Sequence, residues 1–190
     1  MTPRRARSFR WLASPSSNDD ATEFTFKIKK AKFHNGDDVT SKSFKLGWER
    51  LVNTKSAVAT EYGPSEVSYH LSMVEGYDDL LAGNATELSG VTCPDDETLV
   101  VKLASAYADF PFVASHPALA PVPECAESDV KSFYLAPVGN GPFMMDGKWR
   151  MARRSTSRSS TITMATRPRS MASTSRSSRT WRPLQGVPGR

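Results

Sequence analysis

The chain has 190 residues, 38% of them hydrophobic, which is enough length and apolar content for a buried core. No apolar run approaches the roughly 18 residues of a membrane span, and the opening "MTPRRARSFRWLASPSS" lacks the uninterrupted apolar stretch of a signal peptide. The net charge of +5 averages two unlike compositions: residues 18–149 hold all 20 acids, all 10 lysines and one arginine, Arg50, a net −9, while residues 1–17 and 150–190 hold the other 14 arginines with no lysine and no acid.

In the acidic block, "TEFTFKIKKAKF" alternates Phe24, Phe26 and Ile28 with Thr25, Lys27 and Lys29, the period of a strand with one buried face. "HNGDD" supplies an Asn-Gly turn, and Thr40 follows as a helix N-cap whose hydroxyl can accept from a first-turn N–H. "SKSFKLGWERLVN" then places Phe44, Trp48 and Leu51 along one helical stripe. "SEVSYHLSMVEGYDDLLAGNA" predicts one or two short helices with Gly83 as the stop. "GVTCPDDETLVVKL" predicts two strands around a Pro-Asp-Asp-Glu turn, with Leu99, Val101 and Leu103 on one face. "YADFPFVASHPALAPVPECA" is punctuated by proline and predicts a short helix followed by an extended buried loop. In "VGNGPFMMDGKW", Gly139 and Gly141 flank a turn before a strand. The block is mixed α/β (α+β), without internal repeats.

Catalytic and metal-binding signatures are missing. His34, His70 and His116 are far apart and lack ligand-spaced partners, whereas a zinc site needs three or four converging donors, so no metal is expected. Cys93 and Cys125 lie 32 positions apart, without a Cys-x-x-Cys motif, and read as two unpaired thiols. The Asp-Asp pairs at 37–38, 78–79 and 95–96 fall at turns and helix starts, where carboxylates are favoured locally. With no GxSxG, P-loop or GxGxxG motif, neither an enzyme nor a cofactor is expected.

Five stretches in order carry a resemblance: "DDATEFTFKIKKAKFHNGDDVTSKSFKLGWERLVN", "VEGYDDLLAGNATELSG", "VTCPDDETLVVKL", "YADFPFVASHPALAPVP" and "PVGNGPFMM". Residues 18–149 resemble the family-5 solute-binding proteins, the oligopeptide- and dipeptide-binding components of bacterial ABC importers. The resemblance implies part of the first lobe of a two-lobed, periplasmic-binding-protein-like (type II) fold. It also implies a monomeric extracytoplasmic binding protein, membrane-anchored or periplasmic, that closes over a peptide and docks on membrane permease subunits, with no nucleic acid as partner. One family feature is an aromatic reaching the peptide from the loop after the "WERL" helix. Tyr62 in "ATEYGPSEVSY" is the nearest match, with packing as the alternative role for that ring.

The family continues after "VGNGPF" with a strand, a turn and another strand. This chain instead has "RMARRSTSRSSTITMATRPRSMASTSRSSRTWRP". Read one base out of frame, Thr163 to Pro183 can encode YGDKAKIDGIDFKIFKDVETA, a turn, an alternating strand and a helix start. The expectation is therefore that residues 150–190 are a frameshifted, disordered tail and that residues 1–17 are likewise disordered or frameshifted. The rival from another class is a nucleic-acid-binding protein, whose guanidiniums would neutralise phosphates from an Arg/Ser-rich tail.

Overall fold

A computed structural model describes residues 15–148 and the backbone of residues 162–164. Its central sheet has four antiparallel strands in the order β1-β2-β4-β3: β1 Ser16–Ser17, β2 Glu23–Lys27, β3 Val91–Asp95 and β4 Thr98–Lys102. The alternation of β2 sends Phe24 and Phe26 into the core, opposite Val101 and Leu99, and Ile28 follows them just past the strand end. β3 occupies an edge, where Pro94 removes no ladder hydrogen bond, and its register with β4 slips between Thr92 and Asp95.

Helix α1, Ser41–Val52, packs against β3 and β4. Thr40 is its N-cap, as the sequence predicts, and forms a capping box with Ser43, whose hydroxyl accepts from the Thr40 N–H at 3.3 Å. The buried stripe comprises Phe44, Gly47, Trp48 and Val52, while Leu51 sits at its margin. Gly47 is small because its neighbour is backbone: a Cβ there would lie 3.0 Å from the Ala120 carbonyl oxygen.

Four aromatic rings fill the space between sheet and helix. Phe110 lies 5.5 Å from Phe24, 6.3 Å from Phe26 and 6.2 Å from Trp48, the last two edge-on as the ring quadrupoles prefer. Phe110 belongs to α4, Phe110–Ala114, in the proline-rich stretch. A 3-10 turn at Pro117–Leu119 follows, then an extended segment, as the prolines dictate. The Trp48 indole N–H donates to the Leu119 carbonyl at 2.9 Å, so α1 holds this loop by a buried hydrogen bond.

The remaining elements are short. α2 (Ala57–Tyr62) follows α1, a 3-10 turn spans Ser68–Leu71, and α3 (Tyr77–Leu81) ends before Gly83, which takes the left-handed φ of 75° expected of a helix stop. α5 (Cys125–Ser128) and α6 (Val130–Leu135) form a bent pair. Strand β5, Phe143–Met145, pairs antiparallel with β6, Ile162–Met164.

Two of these findings modify the expectation of disordered ends. Ser16–Ser17 lies inside the stretch 1–17 yet pairs with Thr25 and Phe24 of β2, and β6 lies inside 150–190 yet pairs with β5. Residues 1–14, 149–161 and 165–190 lie outside the described residues, and so do the expectations that fall on them.

Candidate functional site

Tyr62 closes a six-residue helix with defined ends. The Ser56 hydroxyl accepts from the Ala59 N–H at 3.2 Å at the start of α2. Gly63, at φ 92°, ends it by donating to the Ala59 carbonyl at 2.9 Å. α6 is begun by Asp129, whose carboxylate accepts from the Ser132 N–H at 3.2 Å. These two short helices bring Tyr62 and Tyr134 together, with ring centroids 4.5 Å apart and planes 23° from parallel. Tyr62 is 47% exposed and Tyr134 59%, so the pair forms an aromatic shelf at the surface and adds nothing to the core. An ion pair between Lys131 and Glu61, at 3.2 Å, joins the same two helices.

Beneath the shelf lies the one arginine of the acidic block. The Arg50 guanidinium sits 5.5 Å over the Phe133 ring, and its Nε lies 3.9 Å from a Glu127 carboxylate oxygen. The other Glu127 oxygen accepts from the Ala57 N–H at the start of α2. Burial lowers the Arg50 pKa from its usual value and the Glu127 charge opposes that shift, but a guanidinium remains cationic throughout the working pH range. Arg50 thus ties α1 to α5 and α6, and Glu127 ties α5 to α2, which fixes the platform on which the two tyrosines meet.

The other singled-out residues fall as follows. Cys93 and Cys125 are both free and half-buried, and desolvation pushes both thiols above their usual pKa. Asp78 and Asp79 occupy the first turn of α3, and Asp95 and Asp96 lie at the β3–β4 turn. The His34 ring hydrogen-bonds the Gly141 carbonyl at 2.9 Å and pins the turn before β5. His70 and His116, far apart in sequence, come together in the fold with ring centroids 4.2 Å apart and planes tilted by 32°, and Tyr69 lies 4.3 Å from His70 on the 3-10 turn. Among the described residues no group of three or more His, Cys, Asp or Glu side chains could hold a metal ion. Among them, too, no helix is long and apolar enough to cross a membrane.

The family model "Bacterial extracellular solute-binding proteins, family 5 Middle" matches residues 9–154, running past the block 18–149 at both ends. The chain is 31% identical over 152 residues to the dipeptide-binding protein DppE of Bacillus subtilis, covering 78% of this chain and 26% of that protein. It superposes on the substrate-binding domain of an oligopeptide ABC transporter from Bacillus anthracis with a TM-score of 0.61 and 31% identity, covering 70% of this chain and 26% of that one. OppA of Listeria monocytogenes, solved bound to peptide, gives a TM-score of 0.62 at 26% identity, with 73% and 27% covered. The chain spans about a quarter of the length of these relatives.

Proposed function

The chain belongs to the bacterial extracellular solute-binding proteins of family 5, and we propose from that membership that the whole protein captures di- or oligopeptides and delivers them to the permease of an ABC importer. The described residues form part of one lobe of the two-lobed binding-protein fold. Family members work outside the cytoplasm, and we place this protein there too, anchored to the membrane or free in the periplasm. The observation that carries the reading is the continuous family match over residues 9–154, with relatives named for dipeptide and oligopeptide binding.

Within this reading, Tyr62 is the residue of the described lobe that reaches the peptide. Its support is local: the ring is exposed, and Tyr134 and the cap at Gly63 hold it in place. The test uses the full-length, in-frame protein of the same locus with a panel of peptides in thermal-shift and calorimetric titrations. Saturation at 100 times Kd is expected to stabilise the folded state by about 2.7 kcal/mol. Tyr62→Ala is expected to weaken peptide binding about tenfold, a single aromatic contact's worth, while the unliganded melting temperature stays put because the ring lies outside the core. No peptide shifting the wild-type protein would overturn the binding role. Unchanged affinity in the variant would remove Tyr62 from the site and leave the function standing.

We also propose that residues 150–190 are read out of frame, beginning at Trp149–Arg150. Support comes from the switch to acid-free, arginine-only composition and from the foldable pattern in the neighbouring frame. Genomic sequencing through the codons for residues 145–190 in independent isolates is expected to restore an acid-containing strand and helix. A single uninterrupted frame would return the arginines to a nucleic-acid-binding role.

A further inference from the structure

We infer that the stacked phenols of Tyr62 and Tyr134 are an oxidative cross-linking site, joined by a carbon–carbon bond when a haem peroxidase with hydrogen peroxide oxidises them one electron at a time. Proximity carries the first part of the argument. The two ring centroids lie 4.5 Å apart with planes 23° from parallel, although the residues belong to separate helices. The chain has five tyrosines, all among the described residues. Tyr69 lies against His70 instead, and Tyr77 is 9% exposed with its hydroxyl 3.3 Å from that of Ser68. Among the described residues no other two tyrosines meet ring to ring.

Access is the second part. Both rings of the pair are about half exposed, so an oxidant in solution reaches them. The thiols that would compete for it are poorly placed. Cys93 and Cys125 are half-buried, and desolvation pushes both above their usual pKa, away from the reactive thiolate form.

The chemistry balances. Each phenol gives one electron to the oxidant and its hydroxyl proton to water, leaving a phenoxyl radical. The unpaired electron spreads to the carbons ortho to oxygen, where the two radicals pair in a new C–C bond. The hydrogens on those carbons move to the oxygens and restore both hydroxyls. In sum, two phenols and one hydrogen peroxide give one dityrosine and two waters. Holding both partners in one fold makes the coupling intramolecular and favours it over encounter between chains. The fold also keeps the rings together from behind. Glu127 accepts from the Ala57 N–H at the start of α2, Lys131 pairs with Glu61 at 3.2 Å, and the Arg50 guanidinium sits 5.5 Å over the Phe133 ring. The new bond adds a covalent tie between α2 and α6, whatever the shelf binds.

The experiment treats the 190-residue chain, kept dilute, with a haem peroxidase and limiting hydrogen peroxide. It reads dityrosine fluorescence, gel mobility and the masses of proteolytic fragments. The expected product is a monomer lighter by two hydrogens, in which the fragment holding Tyr62 is joined to the one holding Tyr134. Tyr62→Phe and Tyr134→Phe each keep a ring in the stack and remove the phenol, so each should lose the fluorescence and the joined fragment. Tyr107→Phe, outside the pair, should lose neither. Urea should suppress the bond in the wild-type chain by separating the two helices. Dityrosine formed only between chains, dityrosine that persists in both variants of the pair, or none in the folded wild type would overturn the site. Should one variant fail to fold, the other and the urea comparison still decide.

Discussion

Trp48→Ala is expected to destabilise the protein by about 4–8 kcal/mol in urea denaturation, close to the whole stability of a small domain. Trp48 is wholly buried, its ring meets Phe110 edge-on at 6.2 Å, and its N–H satisfies the Leu119 carbonyl at 2.9 Å. Removing the side chain opens a cavity worth about 3–5 kcal/mol and strands a buried acceptor worth about 1–3 kcal/mol. Trp48→Phe separates the two contributions, since it keeps an aromatic ring and loses only the donor and part of the volume. A loss of about 2 kcal/mol is expected there. A Trp48→Ala variant within 1 kcal/mol of wild type would mean that the loop through Leu119 is not held by α1.

The elements that Trp48 joins were the most legible in the sequence, for a physical reason. β2, α1 and the β3–β4 hairpin each bury one face, and a one-sided environment imprints its period on the residues: Phe24 and Phe26 at two, Phe44 and Trp48 at four. The margin of the stripe was less legible. Leu51 was expected inside, yet Val52 is 1% exposed and Leu51 only partly covered, because two adjacent apolar residues both fit the helical period and only tertiary packing decides between them.

The candidate site was legible only in part. Tyr62 stood out beside the resemblance, but α2 and α6 are six residues each, under two turns, too short to print a period. Tyr134 was therefore missed, although Arg50, which supports its helix, was visible as the sole arginine of an acidic block. The meeting of His70 with His116 was not legible for a related reason. Both lie on single 3-10 turns or beside them, and their contact depends on where α1 anchors two separate loops. Local sequence carries no record of such docking.

Gly90→Ala is the second substitution with a large expected effect, about 3–4 kcal/mol of destabilisation, from backbone crowding. A Cβ at position 90 would lie 2.6 Å from the Lys102 carbonyl oxygen and 2.9 Å from both the Glu75 amide nitrogen and its Cβ. These are mostly backbone atoms, so no flexible side chain can swing aside. The same three residues close a ring of hydrogen bonds: Gly90 N–H to Glu75 O at 2.9 Å, Glu75 N–H to Lys102 O at 3.1 Å, and Lys102 N–H to Gly90 O at 2.7 Å. Separating the strands to admit a methyl group would lengthen all three at the end of β4, where Val74 and Leu103 also bridge. Gly36 provides the control. It has φ +97° and open space around its would-be Cβ, so Gly36→Ala carries only left-handed backbone strain, about 1–2 kcal/mol. Urea denaturation of both variants, with hydrogen exchange at the Lys102 amide, distinguishes crowding from strain: only Gly90→Ala should expose that amide. Equal destabilisation by the two variants would mean that the chain crossing at residues 75, 90 and 102 is looser than its packing indicates.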